Sequence, residues 1–173
     1  MRAAVILTVA LAALGACRDE TAEAPAPAPL TAENVSFFCQ MNVLEHGGPK
    51  AQIHLAGYDA PLFFAQVRDA VAYLKSPERE APIRATYVSD MGAAPGWNAP
   101  GTENWTAAET AHFVVEAGVA GGMGAPEVVP FARAEDAAAF VGRYGGRVVA
   151  LTDIPDDAVL GPVDPAVSLE VPQ

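Results

Sequence analysis

HFVVEAGVAGGMGAPEVVPFARAEDAAAFVGRYGGRVVALT, residues 112–152, carries every element of a small α+β unit. Residues 112–117 and 127–131 are rich in β-branched and aromatic side chains, and a glycine-rich turn at 118–126 separates them, so they read as two strands. Pro130 assigns the second to an edge or a bulge, because proline cannot donate to a central ladder. Ala137, Phe140, Val141 and Tyr144 recur at helical spacing over 134–144, and Gly145-Gly146 supplies the C-cap. Residues 147–152 (RVVALT) form the closing strand. Upstream the same order recurs. Residues 35–43 (VSFFCQMNV) read as a strand, Gly47-Gly48-Pro49 marks a turn, and 51–56 (AQIHLA) alternate as a second strand. Phe63, Val67, Ala70, Val71 and Leu74 predict a helix over 61–75, and 83–89 (IRATYVS) a third strand. The fold class is therefore α+β, two pseudo-repeated ββαβ units at 35–90 and 106–153 joined by a Gly/Pro-rich linker at 91–105. Residues 154–173 contain four prolines and read as a disordered tail.

The N-terminus reads as an export signal. Arg2 precedes an unbroken small and apolar run over 3–15, too short for a membrane span of about 20 residues. The run ends in Leu14-Gly15-Ala16-Cys17, which resembles a bacterial lipobox; an ordinary secretory signal is the alternative. The lipobox implies that residues 1–16 are a signal peptide removed before Cys17, which then carries the lipid. The Pro/Ala-rich stretch that follows, through residue 34, has the composition of a flexible tether between anchor and domain. The whole chain of 173 residues has a formal net charge of −11, from 10 basic and 21 acidic residues. That balance excludes a nucleic-acid footprint and a polybasic membrane patch. The acidic residues are scattered along predicted solvent faces and read as solubility. Two cysteines exclude a disulfide scaffold and a four-thiolate zinc site. With Cys17 acylated, Cys39 is the remaining thiol. In an oxidising compartment it must be a buried inert group, an intermolecular bridge, a nucleophile or a metal ligand.

Cys39-Gln40-Met41 is the most informative triplet. On a strand, its two sulfur atoms share one face. A thiolate with a thioether is a soft pair that selects Cu(I) over harder ions. Core packing is the plainer alternative. Met123, in the glycine-rich turn, corresponds by the repeat to the turn after Met41; it is either a third sulfur donor or an exposed turn residue. His46 follows closely enough to supply an imidazole, or is simply solvated. His112 and His54 are weaker candidates, and His54 shares its face with Gln52, on the side read as solvent. No nucleophile elbow, phosphate loop or Cys-x-x-Cys is present. A thiol-dependent enzyme using Cys39, and a lipid-anchored interaction module with a structural Cys39, stay open beside copper.

Together these residues resemble the NosL family of copper-binding lipoproteins. The lipobox, Cys39-x-Met41, the EHGGPKAQ of 45–52, the IRATYVSD of 83–90, the GGMGAPEVVPF of 121–131 and the helix ending in Gly-Gly occur in that order. The resemblance implies a periplasmic lipoprotein held at a bacterial membrane by the lipid on Cys17. It implies one bound Cu(I), delivery of copper to nitrous-oxide reductase for its copper–sulfide centre, and no catalysis of its own. It carries the metal-binding roles to Cys39 and Met41, and to Met123 as a third ligand. It also implies a pair of ββαβ units, related to a domain of organomercurial lyase. Gln40 stands where a glycine is common in the family; its side chain is expected to point away from the site, with little consequence.

Overall fold

The computed structural model describes residues 23–164 and 166–172. The signal peptide, Cys17 and the start of the tether lie outside the described residues. Strand β1 (Ala51–Leu55) pairs antiparallel with β2 (Leu62–Phe64) on one side and β3 (Ile83–Ser89) on the other. Strand β4 (Trp105–Ala107) pairs with β3 and completes a sheet of order β2-β1-β3-β4. The second sheet is β6-β5-β7, with β5 (His112–Val115) central, β6 (Val129–Phe131) and β7 (Arg147–Val149) at the edges. Pro130 thus sits on an edge strand, where its missing N–H costs no ladder bond.

Each sheet carries a helix. Helix α2 (Ala134–Tyr144) matches the predicted span, and Gly145 caps it at φ 73°, its N–H donating to Val141 O. Helix α1 is shorter than predicted, Val67–Lys75. Leu62–Phe64, which the spacing assigned to that helix, forms β2, because this apolar triplet also fits a strand and β1 offers it a ladder. The order strand–strand–helix–strand holds in both halves, but in the first half the strands are β1, β2 and β3.

Alternation along β5 explains how the halves join. Phe113 and Val115 enter a core shared with Ile53, Phe64, Val67 and Val88 of the first half. Val114 points the other way, into a cluster with Phe131 and Ala137. Trp97, from the linker, is buried in that cluster and stacks on Phe140 at 6.4 Å between ring centroids.

Two segments expected to be loose are ordered instead. Residues 25–30 cross the outer face of the first sheet. Tyr87 donates to Pro25 O at 2.7 Å, Gln52 exchanges two hydrogen bonds with the Ala28 backbone, and Leu30 is buried. A proline-rich chain has no internal hydrogen bonds, so its backbone groups are free for this. Gln52 and His54 accordingly do not face solvent. In the C-terminal segment, α3 (Asp156–Leu160) packs on α1, and Ile154 and Val159 enter the shared core.

Candidate metal centre

Residues 35–42 form a closed loop and not the strand predicted there. Val35 bridges Asn42, and Ser36 N–H donates to Met41 O at 2.8 Å. Inside this closure the chain makes one helical turn, with Gln40 N–H donating to Ser36 O at 2.9 Å, and stops at Gln40 with φ 58°. Such a left-handed residue is where glycine costs least. Gln40 offsets the strain by donating its side-chain amide to Phe37 O at 2.7 Å. Cys39 and Met41 therefore flank a left-handed residue, and strand alternation does not relate them. Cys39 is half-buried, and Met41 is 40% exposed. Beyond the loop, Asn42 Oδ1 accepts from Leu44 N–H and starts a 3-10 turn over Val43–Glu45, which leads to His46.

Met123 stands at the tip of a hairpin. Ala120 bridges Pro126, Gly121 N–H donates to Ala125 O at 2.8 Å, and Gly124 N–H donates to Gly121 O at 2.9 Å. Met123 is 44% exposed. The hairpin lies directly against the His46 turn. His46 Nδ1 is 3.4 Å from Gly122 O, and a Cβ on Gly122 would sit only 2.6 Å from Gly47 O. The ring's other nitrogen, Nε2, is buried without a hydrogen-bond partner. An unpaired buried imidazole nitrogen is a free donor for a metal ion.

A buried polar network ties these loops together. Lys50 is fully buried, and its ammonium donates to Gly47 O and Ala65 O, both at 3.0 Å. Ala65 N–H in turn donates to Ser36 Oγ at 3.3 Å, at the base of the Cys39–Met41 loop. Glu127, also buried, accepts from the backbone N–H of Arg68 and Val128 and from the Gln66 side chain. Its Oε2 lies 2.5 Å from where a Cβ on Gly121 would be, so the carboxylate sits under the Met123 hairpin. Burial pushes the Lys50 ammonium down to about 8, partly offset by the Glu127 charge. Burial pushes the Glu127 carboxyl up to about 7 against the pull of its amide donors and of Lys50. The expectation that the acidic residues all lie on solvent faces fails here. No sequence signal marks Lys50, Gln66 and Glu127 as a group, since the bonds that tie distant segments span 15 residues from Lys50 to Ala65 and 61 from Gln66 to Glu127.

Hydrogen bonds of Lys50 and Ala65 thus link the base of the Cys39–Met41 loop to the His46 turn, on which the Met123 hairpin packs with Glu127 beneath it. The other two histidines lie on strands. His54 Nε2 is 2.9 Å from Gln52 Oε1 on the covered outer face, where burial lowers its pKa. His112 opens β5 opposite Phe131. Among the described residues, no three His, Cys, Asp or Glu side chains cluster in a metal-binding group. Chemically, the donors available at the three loops are one thiol, two thioethers and one imidazole, a soft set.

Comparison with known proteins gives this arrangement relatives. The family model of NosL matches residues 27–159. The copper-binding lipoprotein NosL of Achromobacter cycloclastes is 54% identical over 161 residues, covering 92% of this chain and 83% of the relative. The copper-binding lipoprotein NosL of Stutzerimonas stutzeri is 29% identical over 158 residues, covering 91% and 80%. Among solved structures, the crystal structure of the copper chaperone NosL from Shewanella denitrificans superposes with a TM-score of 0.69. It is 29% identical and covers 76% of this chain and 96% of that one.

Proposed function

The chain belongs to the NosL family, and from that premise we propose that it is a lipid-anchored carrier of Cu(I) at the periplasmic face of a bacterial membrane, with nitrous-oxide reductase as the recipient. The observation that carries the reading is the convergence of three donor-bearing loops on one buried Lys50–Glu127 network. Cys39 and Met41 hold the ion, and Met123 or His46 supplies a third donor. The orphaned Nε2 makes His46 a real competitor for that place.

The chemistry suits a cargo. A thiolate and thioethers prefer Cu(I), and a three-coordinate ion leaves room for an incoming ligand. Copper then passes to the recipient by ligand exchange, each new donor arriving before an old one leaves, with no free ion in between. No bond of a substrate is made or broken, so the protein is a carrier and not a catalyst. Anchoring falls to the lipid on Cys17, as the name of the copper-binding lipoprotein relatives supports.

The test is a titration of reduced protein with Cu(I) against a competing chelator. The expected result is one tight equivalent that Cys39→Ser abolishes and Met41→Leu weakens. Unchanged affinity in Cys39→Ser would overturn the assignment. Met123→Leu and His46→Ala, run beside them, identify the third donor.

A further inference from the structure

The base of the Met123 hairpin has a third strand that comes from the C-terminal segment. Glu170 N–H donates to Gly118 O at 2.7 Å, and Ala120 N–H donates to Glu170 O at 2.8 Å. Val119 and Glu170 form a parallel bridge, while Ala120 bridges Pro126 on the other side. The segment is tied down before it arrives. The Arg68 guanidinium donates to Ala158 O at 2.9 Å and Gly161 O at 2.8 Å, and Arg68 N–H donates to Glu127 Oε1 at 2.9 Å. Pro162, Val167 and Leu169 line the outer wall of a cavity of about 320 Å3 whose inner wall includes Glu127. The matched family segment ends at residue 159, so the part of the C-terminal segment that pairs with the hairpin lies beyond it.

We propose that residues 166–171 are a strap that registers the Met123 hairpin, making Glu170 a positioning residue for the third sulfur donor. The proposal rests on the copper reading above and specifies it, because it requires Met123 to bind. The tip meets the His46 turn at Gly122 and Glu127 and Gln66 at Gly121, and the Glu170 pairing adds the restraint at its base that fixes the register of the hairpin. Without the Glu170 pairing, the amides of Gly121 and Gly124 open more often and Met123 spends less time at the metal.

The experiment uses the full chain carrying Glu170→Pro, which deletes the N–H that meets Gly118 O and distorts the bridge. A second variant ends at residue 161. Each is made alone and with Met123→Leu, and each is titrated with Cu(I) against a chelator. The expected result is about tenfold weaker binding where Met123 is kept, the equivalent of one or two backbone hydrogen bonds. In the Met123→Leu background the further loss is expected to be under about twofold. Amide exchange at Gly121 and Gly124 should speed up in the metal-free variants. If a variant is folded and binds as the parent does, the proposal is overturned. Equal losses in both backgrounds also overturn it, since the strap would then support the whole domain and not Met123. Failure of the parent to bind Cu(I) at all is a different result, and it removes the copper reading together with the strap's role.

Discussion

Gly122→Ala probes the contact between the His46 turn and the Met123 hairpin, on which the proposed copper site rests. Gly122 does not have a positive φ, so its backbone accepts alanine without strain. Its cost is therefore one of contact alone. The new Cβ would stand 2.6 Å from Gly47 O, 2.6 Å from His46 Cβ and 3.1 Å from Gly47 N. Carbon atoms pack best at about 3.5–4.0 Å, so the two loops must part by roughly 1 Å. Two of the three opposing atoms are backbone, held by the Lys50 bond to Gly47 O and by Gly48 N–H on Trp97 O, and they cannot swing aside. Overpacking of this kind costs about 1–3 kcal/mol. In a domain of this size each kcal/mol lowers Tm by about 2–4 °C, so a fall of roughly 2–12 °C is expected in the metal-free protein. The same separation moves the Met123 hairpin away from the His46 turn, so under the proposed donor set Cu(I) should also be held less tightly. Gly142→Ala on α2, whose Cβ meets nothing within 4 Å, is the control and should not lower Tm. A Gly122→Ala protein that melts within about 1 °C of the parent and binds copper equally well would refute the reasoning, because the halves would then not meet at this point.

Two further predictions concern the polar network and the donor loop. Between pH 4.5 and about 7 the unfolded chain has lost the Glu127 proton that the folded chain keeps, so stability falls as pH rises through that window. Between about 8 and 10.5 the folded chain has lost the Lys50 proton that the unfolded chain keeps, so stability rises again. Urea midpoints of metal-free protein across this range should show a trough near pH 7–8, shallower in Glu127→Gln on its acid side; a profile without the trough contradicts both burials. At Gln40, alanine keeps the left-handed strain and loses the bond to Phe37 O, whereas glycine loses the bond and relieves the strain. Gln40→Ala should therefore be less stable than Gln40→Gly by about 1 kcal/mol, and the reverse order in denaturant melts would show that φ at residue 40 is not left-handed.

How much of this was legible differs between the halves. The second half was plain because its signals agree: a helical stripe over 134–144 stops at Gly145-Gly146, and Pro130 marks the edge strand. In the first half, composition pointed the wrong way twice. The aromatic stretch at 35–43 looks like a strand, yet Phe37 and Phe38 pack on Phe64 and Tyr73 from a loop whose shape is set by one left-handed residue. Phe63 and Phe64 fit either a helix face or a strand, and only the neighbouring β1 decides. The proline-rich ends read as tether and tail because they cannot form a core alone; each instead lends its free backbone groups to a sheet or hairpin far away in sequence. The candidate donors were readable by type. The links between their loops were not, because they run through Lys50, Gln66 and Glu127, which the sequence offers as ordinary polar residues.

That network has a cost, and the cost indicates its use. Burying charged groups is often less stabilising than burying apolar residues of the same size. Burial opposes both charges here, as the two displaced pKa values record. An apolar pair, however, could not hold backbone carbonyls. The Lys50 ammonium fixes two of them at once, Gly47 O beside His46 and Ala65 O behind Ser36. Glu127 fixes two N–H groups and receives Gln66 under Gly121. The three loops are thus positioned from beneath, through main-chain atoms. Their tips are left to Cys39, Met41 and Met123, side chains that are half-buried or exposed. As the proposed copper site, which must give its ion away, these loops need this division. Donors placed by a fixed backbone need little reorganisation to bind, and donors open to solvent can be reached by a competing ligand. A fully enclosed sulfur cage would hold copper more firmly and pass it on less readily.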